Sequence, residues 1–274
     1  MADLDEDERH EIAVSYGSII GTGLLAIIIC CTRLLTRKFI IKAFSVDDWA
    51  CLIALVLTTT FNSLGIAVVY NGAGRHIEHV SAQELTTWFK LYYACTCFYL
   101  IIACAVKSSL LALMWRLFPL LITHHCAYTT ALLRRAGLCL FIFMTLFTIS
   151  GTFVAAFQCN PPKYVYDLTY VMAADRAAHC YSPNTAYGVF LYQAVILFAI
   201  DIIIFMYPVP ALWGLRMTRG KGLVSVLVFG SAVVACIAPA LRFQSLSFYK
   251  SGSSDMTWFN AAEATTFACK GTAF

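Results

Sequence analysis

Long apolar stretches separated by short polar ones organise the chain. Four of them, at 12–32, 49–74, 136–158 and 222–241, contain no charged residue and run for 21, 26, 23 and 20 residues. An α-helix rises ~1.5 Å per residue and a bilayer's hydrocarbon core is ~30 Å thick, so each stretch can cross as one helix. Two more, about 88–115 and 185–215, are each interrupted once deep in their interior, by Lys107 and Asp201, with Lys90 at the edge of the first. The seventh, 258–274, holds only 17 residues and includes Asn260, Glu263 and Lys270. The pattern predicts an all-α, polytopic membrane protein, a bundle of seven transmembrane helices whose last is weak or truncated. An acidic segment at 1–11 precedes this helical domain at 12–274.

Composition agrees with the pattern and narrows the function classes. Hydrophobic residues make up 60% of the chain and charged ones 12%, against about 45–50% and about 25% in soluble domains. Mean hydropathy is +0.75. A disordered tail protein, a nucleic-acid binder built on basic patches and a secreted disulfide scaffold all need polar surface that is missing here. The charges between spans are also unequally divided. Arg33, Arg37, Lys38, Lys42, Arg116, Arg134, Arg135, Arg216, Arg219 and Lys221 fall on one side with two acids, Asp47 and Asp48. Six basic residues fall on the other with eleven acids, among them Asp3, Asp5, Glu6, Asp7, Glu8 and Glu11. Lysine and arginine are retained in the cytoplasm during insertion, so the amino terminus is expected outside, in an integral membrane protein of the plasma membrane.

On this topology most of the 12 cysteines lie in spans, where cysteine acts as a small buried hydrophobe. Cys159 and Cys180 fall in the longest outer loop, 159–184, on the oxidising side. They are candidates for a disulfide, with Cys95 and Cys97 in the third span as rival partners for either one.

An ionised side chain in the bilayer core costs at least ~2.5 kcal/mol unless it faces protein and finds a partner. Lys107 lies nine residues before Arg116, and Asp201 fifteen before Arg216. With the fifth helix broken near Pro208 and Pro210, the two charges reach similar depth and suggest a pair. Arg242 and Glu263 suggest a second pair near the opposite face. Such pairs either fix helix packing or act as switches. Lys270 reads as a helix-end anchor rather than a Schiff-base lysine. His76, Glu78 and His79, and His124, His125 and Cys126, have metal-donor atoms but no second cluster at ligand spacing. Gly17 and Gly21 form a small-residue face suited to helix packing. No paired carboxylates, phosphate cradle or activated nucleophile is evident, so enzyme activity is not expected, and neither is a cofactor.

Several of these residues together resemble a known family. Phe44-Ser45-Val46-Asp47-Asp48-Trp49 resembles the Asp-Asp-Trp motif of the fungal rhodopsin-domain integral membrane proteins, a receptor-like group. Gly72-Ala73-Gly74-Arg75-His76 is similar to its Gly-x-Gly-x-His outer turn, and Lys107-Ser108-Ser109 with Arg116 to its third-span pattern. Cys159-Asn160-Pro161 resembles its Cys-x-Pro loop entry, with Cys180 as the second loop cysteine. Asp201 with Pro208-Val209-Pro210 is similar to its fifth span, and Arg242 and Glu263 fall where its sixth and seventh spans carry an Arg and a Glu. The chain departs from the pattern at Tyr164 and Tyr166, where the family has a Trp, and after Glu263. The resemblance does not imply retinal.

The expected function is that of a receptor-like seven-helix protein, a sensor of an unknown extracellular ligand that signals to a cytoplasmic partner. Membrane lipid is its solvent, and nucleic acid is not an expected partner. The alternatives are a small transporter or channel, whose buried charges would line a polar path, and a non-signalling membrane scaffold.

Overall fold

The computed structural model describes residues 5–42, 45–121, 127–173, 175–207 and Thr257. Over these residues the chain is helical and contains no strand, only an isolated antiparallel bridge between Cys159 and Cys180. Helix α1, Glu6–Leu35, starts at Asp5, whose carboxylate accepts from the Glu6 N–H at 2.9 Å, and continues into a π-helical turn, Thr36–Ile41. Lys42, at φ 51°, ends that turn in the left-handed region.

Helix α2, Val46–Tyr70, opens with Asp48 accepting the Ser45 N–H at 3.0 Å, half of a capping box that satisfies an otherwise orphaned donor. It closes in a turn through Gly72 and Gly74, at φ 119° and 90°. A Cβ at Gly72 would also meet the Val80 side chain at 3.0 Å, so glycine is required there twice over. A 3-10 turn, Ile77–His79, leads into α3, Ala82–Leu121. Ser81 and Glu84 form a reciprocal cap for α3: the Ser81 N–H donates to Glu84 at 3.1 Å and the Glu84 N–H to Ser81 Oγ at 3.4 Å.

Helix α4 is Ala127–Ala156. Three four-residue helices follow in the next loop, α5 at Lys163–Tyr166, α6 at Leu168–Val171 and α7 at Arg176–His179. Helix α8, Pro183–Met206, has proline at its start and Ser182 Oγ accepting from the Thr185 N–H at 3.2 Å.

Five of these helices, namely α1 with its π-helical turn, α2, α3, α4 from Arg134 onward and α8, are long and apolar enough to cross a membrane. Leu24, Leu25, Ile28, Ile29 and Phe153 are each more than half exposed, the inverse of a soluble protein, because lipid rather than water meets them. The chain is an all-α, polytopic integral membrane protein. The sixth and seventh expected spans lie outside the described residues.

Helix α3 is the hub, packing on α2, α4 and α8 and on the short helices α5 and α6 of the loop. Three apolar clusters lie along it. Leu111, Met144, Ile200, Ile204 and Tyr207 pack toward one end, and Leu100, Phe147 and Leu197 in the middle. Val69, Ala73, Leu85, Trp88, Phe89 and Val171 form the third, at the end nearest the amino terminus. Gly151 lets α3 and α4 approach, since a Cβ there would stand 2.8 Å from Leu100. Among the described residues nothing packs on Gly17 or Gly21; the close approach on α1 is instead at Gly23, where a Cβ would meet Asn62 at 2.6 Å.

Candidate functional site

Two charge clusters anchor α3, and both lie toward the side carrying Arg33, Arg37 and Arg116, called here the basic side. The first gathers three helices. Asp47 and Asp48, in the opening turn of α2, are almost wholly buried, at 3% and 0% exposure. Arg116 of α3 reaches them at 2.8 Å to Asp47 and 3.5 Å to Asp48. Arg33 of α1 stands 3.3 Å from Asp47 and 3.9 Å from Asp48, and Arg37 of the π-helical turn 3.8 and 4.0 Å from the same carboxylates. The sequence has Asp-Asp here for two reasons. Acidic groups in a first turn complement the helix dipole, and Asp48 Oδ2 caps its own helix and faces Arg116, while its Oδ1 is turned to Arg33 and Arg37. Trp49, next in the chain, turns outward and is 58% exposed, at the end of a span where an amphipathic ring is favoured.

The second cluster joins α3 to α8. Lys107 is buried, and its ammonium donates to Asp201 Oδ1 at 2.5 Å and to the Leu197 carbonyl at 3.0 Å. The surroundings are apolar, with Leu111 one turn along α3 and Ile200 beside Asp201 in the same packed cluster. In such a setting each charge depends on the other, because a lone buried charge pays a large desolvation penalty. Lys107 thus ties α3 to α8, and Arg116 ties it to the aspartates of α2, which also hold Arg33 of α1. Chemically this arrangement holds helices together by charge.

At the opposite end the turn after α2 meets the start of α1. Glu8 has no exposed surface, and one of its oxygens accepts from the His76 N–H and faces His79 Nδ1, both at 2.9 Å. Burial pushes the Glu8 carboxyl up, but the hydrogen bonds from His76 and His79 outweigh it and leave the group below its ordinary value. The same hydrogen bond, and then the Glu8 charge, hold His79 above the ordinary imidazole value. Gly74 donates its N–H to the Thr257 carbonyl at 3.1 Å, so the Gly-x-Gly turn also touches the segment before the seventh expected span.

Cys159 is bridged to Cys180, with Cα atoms 4.0 Å apart, while Cys95 and Cys97 are free thiols. The Asn160 N–H donates to the His179 carbonyl and the Tyr181 N–H to the Gln158 carbonyl, at 2.8 and 3.1 Å, closing the neck of the loop. The loop then folds back on α3: Val171 enters the cluster around Trp88, and Tyr166 lies against Tyr93.

The residues singled out in the sequence therefore sit in three places. Asp47, Asp48 and Arg116 come together, as do Lys107 and Asp201, and Gly72, Gly74 and His76 shape the turn that binds Glu8. Pro208, Pro210, Arg242 and Glu263 lie outside the described residues, as do Lys270 and the His124, His125 and Cys126 group. In the sequence Asp-Asp-Trp and Arg116 stand as separate motifs, and Arg33 and Arg37 are not marked as their partners. The available signal is opposite charge at the same membrane face, as for Lys107 and Asp201. Glu8 lies within an acidic segment, and nothing local distinguishes it from its neighbours. Among the described residues no group of three or more His, Cys, Asp or Glu side chains gathers as a metal site would require.

The description of the fungal rhodopsin domain matches residues 32–269. A protein of Metarhizium anisopliae, the polyenoic acids biosynthesis gene cluster protein Ba17b, is 25% identical over 252 residues, covering 87% of this chain and 64% of its own length. The chain thus spans a little under two thirds of that curated relative. No solved structure matches.

Proposed function

Because the chain belongs to the fungal rhodopsin domain family, we propose that it is a receptor-like seven-helix protein of the plasma membrane with its amino terminus outside. It senses an extracellular ligand and passes the change to a cytoplasmic partner through the ends of its helices; it is not an enzyme. The observation that carries this reading is the position of α3, held by Lys107 to α8 and by Arg116 to the aspartates of α2. A helix clamped by charge on both flanks has discrete arrangements, pairs made or pairs broken, and a ligand that favours one shifts the population. A transporter would need its charges spread along a polar path. Lys107 and Asp201 are instead closed on each other inside an apolar cluster.

The test uses the purified protein in lipid nanodiscs, with an environment-sensitive fluorophore at Arg134→Cys, an exposed position early in α4. Lys107→Met and Asp201→Asn should each lower stability by about 3 kcal/mol, since each leaves a buried charge alone. The double mutant should recover part of that loss. Each single mutant should also shift the fluorophore signal away from the wild type without any ligand. The relative's name associates it with a gene cluster for polyenoic acids, so such acids are a rational first ligand panel, expected to move the signal in the same sense. Additive losses and an unmoved signal would remove the switch and the sensing role with it.

A further inference from the structure

The charge cluster around Asp47 and Asp48 is unbalanced. Among the described residues it holds three guanidinium groups against two carboxylates, and Lys38 and Lys42 follow within the next turn of chain. The imbalance is localised on α1. Arg116 takes the short contact to Asp47, whereas Arg37 stands no closer than 3.8 Å to either carboxylate, beyond direct hydrogen-bond reach. Arg33 Nε is buried and has no hydrogen-bond partner among the described residues. Guanidinium donors on a membrane-facing helix that are left short of acceptors call for an anion.

A groove of about 430 Å³ adjoins these groups, lined by Ile28, Ile29, Thr32, Arg33, Thr36 and Arg37. Its wall changes character along the helix. Ile28 and Ile29, toward the bilayer centre, are 60% and 58% exposed, and the two arginines lie one to two turns further, at the end of the span. Apolar surface at hydrocarbon depth that runs into cationic surface at headgroup depth matches one kind of molecule. We propose that this groove is a binding site for an anionic glycerophospholipid. One acyl chain lies along Ile28 and Ile29, and the headgroup phosphate accepts from Arg37 and Arg33. The lipid supplies the negative charge that the two aspartates do not, and it acts as a further member of the clamp on α1, α2 and α3. This inference is independent of the receptor reading, because a scaffold or a transporter with the same helix would bind the same lipid.

The experiment extracts the protein from nanodiscs containing phosphatidylcholine and phosphatidylserine in equal amounts and counts retained lipids by native mass spectrometry. The wild type should retain phosphatidylserine in preference. Arg37→Gln, which touches the aspartates only at long range, should lower that preference about fivefold, the effect of one basic residue at an anionic surface. Thr32→Phe, at an exposed position, fills the groove without changing any charge and should lower it as well; it decides the matter if Arg37→Gln does not fold. Preference unchanged in both variants would overturn the site. So would full displacement of the lipid by inorganic phosphate, which would show that a free anion suffices.

Discussion

Glu8 precedes the apolar run that begins at Ile12, yet solvent does not reach it, because the turn after α2 folds over it and supplies the His76 N–H and the His79 ring. Besides the His76 ring, the groups around His79 are Glu8, Glu78 and Asp5, and all three acids favour its protonated form. Glu8 answers the opposite way, its carboxylate favoured by His76 and His79 over the opposing effect of burial. The signs set a pH window. A raised histidine contributes stability below its ordinary value of 6.5, lost as pH rises through the folded value. A lowered glutamate contributes above its ordinary value of 4.5, lost as pH falls through the folded value. Both contributions are complete between those two ordinary values. The thermal midpoint of wild type minus that of His79→Ala should therefore be greatest there and should shrink on the alkaline side. A difference that stayed flat from acid to alkaline pH would show that the pair is not ionic.

Among the elements, α2 depends most on charge, because its first turn is buried against three arginines rather than exposed to water. Asp47→Asn keeps the shape of the side chain but leaves the 2.8 Å contact of Arg116 without its charge. A buried pair broken on one side costs about 3–5 kcal/mol. The arginines here retain 16–25% of their side-chain exposure, so a loss of about 2–3 kcal/mol is expected. Arg116→Gln in the same background should add little. A double mutant as damaged as the sum of the singles, measured by thermal unfolding in detergent, would show that the two residues act apart. Asp47 and Asp48 were legible as a motif, and the helix start they mark was legible with them. Their partners were not, because Arg116 lies 69 residues away in sequence from Asp47 and only the packing of α3 beside α2 makes them neighbours.

At the scale of the whole molecule the open expectation is orientation. Ten basic residues against two acids on one side, and six against eleven on the other, favour the amino terminus outside. Single cysteines placed at Asp5 and Arg134 test it in intact cells with a membrane-impermeant maleimide. Asp5→Cys should label without permeabilisation and Arg134→Cys only after it. The reverse pattern would invert the topology, and with it the side on which a ligand and a partner are sought.

Hydropathy is a property of short stretches, so the sequence by itself determined the solvent, the helical class and the five crossing helices that the structure describes. It also marked Lys107 and Asp201 as residues that lipid could not accept, because the penalty for a lone charge does not depend on which neighbour relieves it. Which neighbour does so is decided by the rotation of each helix about its axis and by its depth, and these follow from side-chain packing. Leu111, Met144, Ile200 and Ile204 fix how α3, α4 and α8 face one another, and only then does Lys107 meet both Asp201 and the Leu197 carbonyl. Cys159 was equally undecided between Cys180 and the thiols of α3 until the neck of the loop closed and left Cys95 and Cys97 free. Arg33 and Arg37 gave no sign beyond their charge. Their meeting with Asp47 and Asp48 exists only because α1 and α2 pack side by side, a contact between surfaces that no single stretch of sequence contains.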